Sequence, residues 1–303
     1  MRISVIFPIY RPEVKKLIQA VEGVINQKVE GVEFEYWVVN DSGFDYCLED
    51  VLCALDSLCF DYKYHSNHET FGLAKCWNKA VQLTTFEYVH IVHQDDIVYD
   101  RFYDVIYRMY LDKKCVFYGT RSNYIDDNDL VFSVSPLIGN TKIASLMPAD
   151  LFYNTPLQCV STVYLKSAFF DVGGFDQRYC FLLDRRLLLS LIDHGYNLVS
   201  NEILSSYRIS NDNQTSRLEK SISIFNDFTI YLGDLINGNY EVQKRRYNQK
   251  VYEWALAVHA KYNASCMFGV ADDFYSNMNH YFSSIYLLRK KLKSKLSSLL
   301  SKL

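Results

Sequence analysis

The 303-residue sequence predicts an α/β fold, an open, mostly parallel sheet flanked by helices, followed by a helical C-terminal region. Three observations predict it. Its strand-like runs are almost continuously apolar and β-branched, as strands buried on both faces are. Stretches of helical period separate them. Polar clusters close the runs, where an open parallel sheet places its ligands.

The elements follow in order. ISVIFPIY, Ile3 to Tyr10, is a first core strand. RPEVKKLIQAVEGVINQ follows with Val14, Leu17, Ile18, Val21 and Ile25 at helical spacing, and Pro12 suits a first turn. EFEYWVVND, Glu33 to Asp41, is a second strand and FDYKYHS a short third. FGLAKCWNKAVQL is a helix, EYVHIVHQDD a further strand, and a helix is expected over Tyr99 to Asp112. This βαβα alternation implies parallel strands joined by helical crossovers.

Composition narrows the function. A net charge of -3 supplies no basic field for nucleic acid, so no nucleic-acid partner is expected. The 8 cysteines form no CxxC pair and read as reduced core thiols, which points to the cytoplasm. The first apolar run is short and broken by Pro8, unlike a signal peptide or membrane span. No P-loop, GxGxxG fingerprint or GxSxG elbow is apparent.

Pro8 to Arg11, Asn40 to Gly43 and Gln94 to Asp96 all fall at predicted strand C-termini, so three polar clusters converge on one edge. The adjacent acids Asp95 and Asp96 suit a hard divalent cation shared with a diphosphate. The competing role is capping of the helix that follows. His90 and His93, three apart on a strand, face opposite sides and read as ordinary residues.

SVIFPIYRPE, VVNDSG, FGLAKCWNKA, HIVHQDD, VGGFD and LLDRRLLLSLIDHGYNL occur in the order and spacing of another set of proteins. Over Ile3 to Ser216 the chain resembles family 2 glycosyltransferases of the GT-A fold. The resemblance implies a catalytic domain over 1–216 and a helical C-terminal region over 217–303. It implies that HQDD is the family's metal-binding element, with Asp96 holding Mn²⁺ or Mg²⁺ and Asp95 contacting the ribose. Pro8 and Tyr10 resemble the segment lining the nucleotide base, and Asp41 the acid that hydrogen-bonds it. Gly72 and Asn78 match residues packed along the nucleotide sugar. Asp184 matches the general base of inverting transfer, its residue-level alternative being a helix-start acid.

Four departures accompany the resemblance. Asn40 stands where many members have a second acid, Trp77 where the family often has Arg, and Leu183 where it usually has Glu. YRISNDNQTS lacks the family's metal-site His, leaving Ser210, Asn211 or Asp212 near its place. The implied donor is a nucleotide sugar, of the UDP type. The implied acceptor is a saccharide, in many relatives lipid-diphosphate-linked and destined for O-antigen or capsule, with recognition expected over Tyr118 to Cys159. Leu288, Leu292, Leu296, Leu299, Leu300 and Leu303 lie near one helical stripe among Arg289 and lysines. It suits either an anionic membrane surface, giving peripheral attachment to the inner face of the cell membrane, or packing against protein. Two other classes compete: a GT-A-like binder that has lost catalysis, and a sugar-nucleotide pyrophosphorylase, which would carry a glycine-rich basic loop where FPIYRPE stands.

Overall fold

The structure, a computed structural model, describes residues 1–151, 155–210 and 223–237. Backbone contacts divide the chain into two units, Met1–Glu219 and Lys220–Leu303.

The first unit begins β1 (Arg2–Ile9), α1 (Val14–Ile25), β2 (Glu33–Asn40), α2 (Glu49–Ser57), β3 (Lys63–Ser66), α3 (Leu73–Leu83), β4 (Tyr88–Ile91). The sequence reading had no element at α2, a helix whose inner face is Val51 and Leu55, one turn apart. After the HQDD turn come β5 (Ile97–Val98), α4 (Phe102–Asp112), β6 (Phe117–Ile125), β7 (Val131–Val134) and β8 (Ile143–Ala144). The unit continues with β9 (Thr162–Leu165), α5 (Lys166–Asp171), α6 (Leu183–His194) and β10 (Asn197–Arg208).

The sheet runs β3-β2-β1-β4-β9-β6-β10-β5, with β7 on β6 and β8 on β10. β1 pairs in parallel with β2 and β4, and β2 with β3. β9 runs against both β4 and β6, and β6 and β10 are again parallel. Pro8 is tolerated inside β1 because the ladder to β4 ends at Ile6↔Ile91, so its missing N–H interrupts no bond to that neighbour.

Ile3, Val5, Phe7 and Ile9 pack on one face of the sheet with Leu17 and Val21 of α1 and Phe102, Ile106 and Met109 of α4. On β2, the largely buried Glu35 carboxylate accepts from the Ser4 hydroxyl, the Thr85 backbone N–H and hydroxyl, and Lys63. Burial opposes its ionisation, but these bonds win and hold its pKa down at about 2.

Helix α4 starts at Phe102 rather than Tyr99, after Arg101 in the left-handed region, and no side chain caps it. Asp95 and Asp96 are therefore not its caps. In the second unit, α7 (Ser223–Asn237) buries Asp227, Tyr231 and Leu235, a stripe at i, i+4 and i+8. The expected basic stripe from Leu288, with Asn211 and Asp212, lies outside the described residues.

Candidate active site

The C-terminal ends of β1, β2, β4 and β10 deliver the site, each strand handing over to a polar turn. Beyond β1, the Tyr10 N–H donates to Gln94 Oε1 at 2.7 Å and Gln94 Nε2 returns a bond to the Tyr10 carbonyl at 3.1 Å. The Arg11 N–H donates to Ser42 Oγ at 2.8 Å. Three turns from distant parts of the sequence are thereby joined. Tyr10 is half exposed on this edge, while Pro8 is buried in β1.

Asp41 is buried, and its Oδ1 accepts from Asn67 Nδ2 at 2.8 Å and the Phe71 N–H at 2.9 Å, its Oδ2 from the Gly72 N–H at 3.0 Å. It ties β2 to the start of α3, where Gly72 has φ +80, a conformation that costs an L side chain strain. Asn78 donates to the Phe175 carbonyl and accepts from the Phe175 N–H, both at 2.8 Å. Its amide thus clamps the VGGFD loop onto α3.

The HQDD turn holds the acids. Asp96 is 1% exposed, with Oδ1 accepting the Arg208 backbone N–H at 2.9 Å and Oδ2 facing His93 Nδ1 at 3.1 Å. Among the described residues, the Asp95 carboxylate accepts no hydrogen bond from a neighbouring side chain. Burial and the adjacent Asp96 charge push its pKa up to about 6, against the pull of His93 and Arg208.

Asp184 sits in the first turn of α6, as the helix-start alternative required, yet its oxygens turn away from its own helix. Oδ2 accepts the Cys159 N–H at 3.3 Å and Oδ1 the Cys159 thiol at 3.1 Å. Burial raises its pKa and Asp96 adds to the rise, opposed by His93 and the two Cys159 bonds. Asp184 is close enough to exchange charge effects with both Asp96 and His93, and His93 in turn with Asp95, so these groups gather around His93. Leu183, in the family's Glu position, is buried in the core.

Three members of this cluster had no role in the sequence reading. His93 stacks on Trp77 at 4.7 Å, its Nε2 is buried without a partner, and Trp77 meets Phe175 edge-on at 5.1 Å. Burial lowers the His93 pKa, but the Asp96 bond and charge, with Asp184 and Asp95, outweigh it and the net shift is upward. His90, by contrast, points into the core, with Nε2 on the Val160 carbonyl and Nδ1 on Tyr103 Oη; the expected shared strand does not hold, because β4 ends at Ile91 and His93 lies in the turn beyond it. Arg208, 1% exposed, donates to the Asp95 carbonyl at 2.8 Å, the Asp126 carbonyl at 2.6 Å and Asp129 Oδ1 at 2.6 Å. The position of YR at the end of β10 was the available signal for Arg208, and the i, i+3 spacing of His93 and Asp96 in a turn was that for His93. Cys159 offered none, because its contact with Asp184 crosses chain segments with no shared pattern. Lys75, close in sequence to Trp77, lies over the Phe71 ring at 3.8 Å.

Three carboxylates against one imidazole and one guanidinium leave a site that favours cations, and the lone pairs remaining on Asp95 and Asp96 fit a hard divalent ion. Among the described residues no group of three or more His, Cys, Asp or Glu is placed to hold a metal, so phosphate oxygens and water would complete its shell.

The architecture is that of the GT-A glycosyltransferases. The solved structure of S. aureus TarS residues 1–349 in complex with UDP-GlcNAc superposes with TM-score 0.65 at 15% identity, over 84% of this chain and 71% of that one. The same protein in complex with UDP gives 0.64 at 14% identity, over 89% and 74%. The sequence model for glycosyl transferase family 2 matches residues 4–171, more than half of the chain, and the chain belongs to that family of enzymes. The match ends before Asp184. No functionally curated protein matches the sequence.

Proposed function

We propose that this glycosyltransferase moves a sugar, with inversion and a divalent cation, from a UDP-type donor to a hydroxyl of a lipid-linked saccharide. The observation that carries the reading is that Asp184, Asp96 and Asp95 all lie within electrostatic reach of His93 at one edge of the sheet. Complexes of TarS with UDP-GlcNAc and UDP support the donor class.

Pro8 and Tyr10 line the base, with Asp41 and Gly72 shaping the turn beside it. Asn78 fixes the loop along the donor sugar, and Asp95 contacts the ribose. Asp96 and the donor phosphates would hold Mn²⁺ or Mg²⁺, which when bound stabilises charge on the departing diphosphate. Asp184 takes the proton as the acceptor oxygen bonds the anomeric carbon and the carbon–oxygen bond to the diphosphate breaks. Burial keeps that carboxyl a better proton acceptor than an exposed Asp.

On the acceptor side, Leu130, Phe132, Leu137 and Met147 all stand exposed within the stretch expected to read the acceptor, which supports an amphiphilic one. Among the described residues no helix is long and apolar enough to cross a membrane. Attachment through the C-terminal basic stripe is the proposed route to a lipid surface, tested by liposome flotation with and without residues 289–303.

The first test is a thermal-shift panel of UDP, GDP, CMP and dTDP sugars with and without Mn²⁺, on the wild type, Asp96→Ala and Asp184→Asn. A Mn²⁺-dependent shift with UDP sugars that Asp96→Ala loses and Asp184→Asn keeps is expected, with turnover lost in both. Metal-independent shifts, or none in a folded sample, would overturn the reading.

A further inference from the structure

Cys159 opens a single helical turn, Cys159–Ser161, immediately before β9, and is fully buried. The turn is fixed from both ends. The Gln158 N–H donates to Ser161 Oγ at 3.1 Å, and the Thr162 hydroxyl donates to the Gln158 carbonyl at 2.9 Å. From β4, His90 Nε2 donates to the Val160 carbonyl at 3.0 Å, while its Nδ1 accepts from the Tyr103 hydroxyl at 2.8 Å. Burial pushes the His90 pKa down to about 3, so that arrangement stays neutral and does not switch near neutral pH.

From this rigid turn, two donors of one residue meet the two oxygens of Asp184, the N–H at 3.3 Å and the thiol at 3.1 Å. We propose that Cys159 is the positioning residue of the catalytic base: it fixes the Asp184 carboxylate in the plane facing the acceptor. Its weak S–H donor also leaves that carboxylate more basic than a hydroxyl there would. The inference rests on Asp184 being the base. Burial raises the thiol's own pKa, with Asp184 adding to the rise, so the sulfur remains a donor throughout the working range. The other titratable groups facing Asp184 are His93, Asp96 and Tyr164, common to every variant below.

The test compares the full chain with Cys159→Ser, Cys159→Ala and Asp184→Asn, at fixed Mn²⁺. The rate of UDP release from UDP-GlcNAc, UDP-glucose and UDP-galactose, with water as acceptor, is followed across pH. A base must be ionised, so the rate falls as pH drops through the pKa of Asp184. Serine, the stronger donor, is expected to move that limb about half a pH unit lower, and alanine, with no side-chain donor, a similar distance higher. Both variants should lose about tenfold in kcat with KM little changed, because positioning acts on the proton transfer and not on donor binding.

A role confined to packing would not move the limb in opposite directions. Independently of turnover, the hydrogen-bonded S–H stretch of Cys159 in the infrared is expected to shift to the free-thiol frequency in Asp184→Ala. Limbs that coincide with the wild type while Asp184→Asn is inactive, or an unshifted S–H band, would overturn the inference alone. A wild-type rate in Asp184→Asn would overturn the base assignment on which it rests. If the alanine variant loses its near-ultraviolet circular dichroism, the serine limb and the infrared band decide.

Discussion

Replacing Arg208 by Met keeps the buried chain length and removes the guanidinium, a change whose cost follows from its partners. The Asp95 and Asp126 carbonyls each lose a charged donor, at 2.8 and 2.6 Å. A buried acceptor left without its donor costs about 1–3 kcal/mol. Asp129 is 52% exposed, so its carboxylate rehydrates and adds little. The expected total is about 3–4 kcal/mol, near the lower end for removing one partner of a buried charge pair. In a unit spanning Met1–Glu219 this corresponds to a melting point lower by about 6–16 °C. Calorimetry with a urea series on the full chain measures it. The Arg208 backbone N–H still donates to Asp96, so the damage should fall on the Asp95 turn, weakening UDP binding without abolishing it. A loss under about 1 kcal/mol would refute the claim that the guanidinium holds the turn.

Glu35→Gln should cost about 2 kcal/mol at neutral pH through its lost charge-assisted bonds to Ser4, Thr85 and Lys63. Because the folded pKa lies at about 2 against 4.5 ordinarily, that stability is present above 4.5 and lost as pH falls toward 2. Urea midpoints of the two proteins should therefore converge in acid; a gap constant with pH would contradict the assignment. Gly174→Ala places a Cβ 2.5 Å from Asn78 Oδ1 at φ +68. Strain and a displaced Asn78 clamp should cost about 2–3 kcal/mol by thermal melt, and a neutral result would show that the loop gives way freely.

The strands of the first half were legible because burial on both faces writes an unbroken apolar run, and β1 and β2 differ from expectation by a residue or so at their ends. The HQDD run was harder. β4 stops at Ile91, since the chain must turn to bring His93, Asp95 and Asp96 to the edge, whereas apolar residues alone extend the pattern further. Helix α2 escaped notice because its buried side is only Val51 and Leu55. Within the site, acids at strand ends were visible through their position. What they bond to was not, because Asp184 meets Cys159 and Asp96 meets Arg208 across the sheet, and such pairs leave no period in the sequence. Asn78 and Asp41 show the same limit: residue type and position were clear, while their inward-turned bonds to Phe175 and Gly72 required the fold.

The reversed strand β9 has a consequence for how the protein is made. During synthesis β1 to β4 and the HQDD turn emerge first, a contiguous half able to pair with itself. Until Leu165 has left the ribosome, β4 presents an unpaired edge and β6 has no link to it, because among the described strands only β9 bridges the two. The guanidinium that braces the Asp95 turn arrives later still, at Arg208. A chain halted between Asp96 and Thr162 would thus carry Asp95 and Asp96 on a sheet with an open, apolar margin, a species prone to pair with its own kind. Release of the nascent chain before β10 would leave the Asp95 turn without its guanidinium brace.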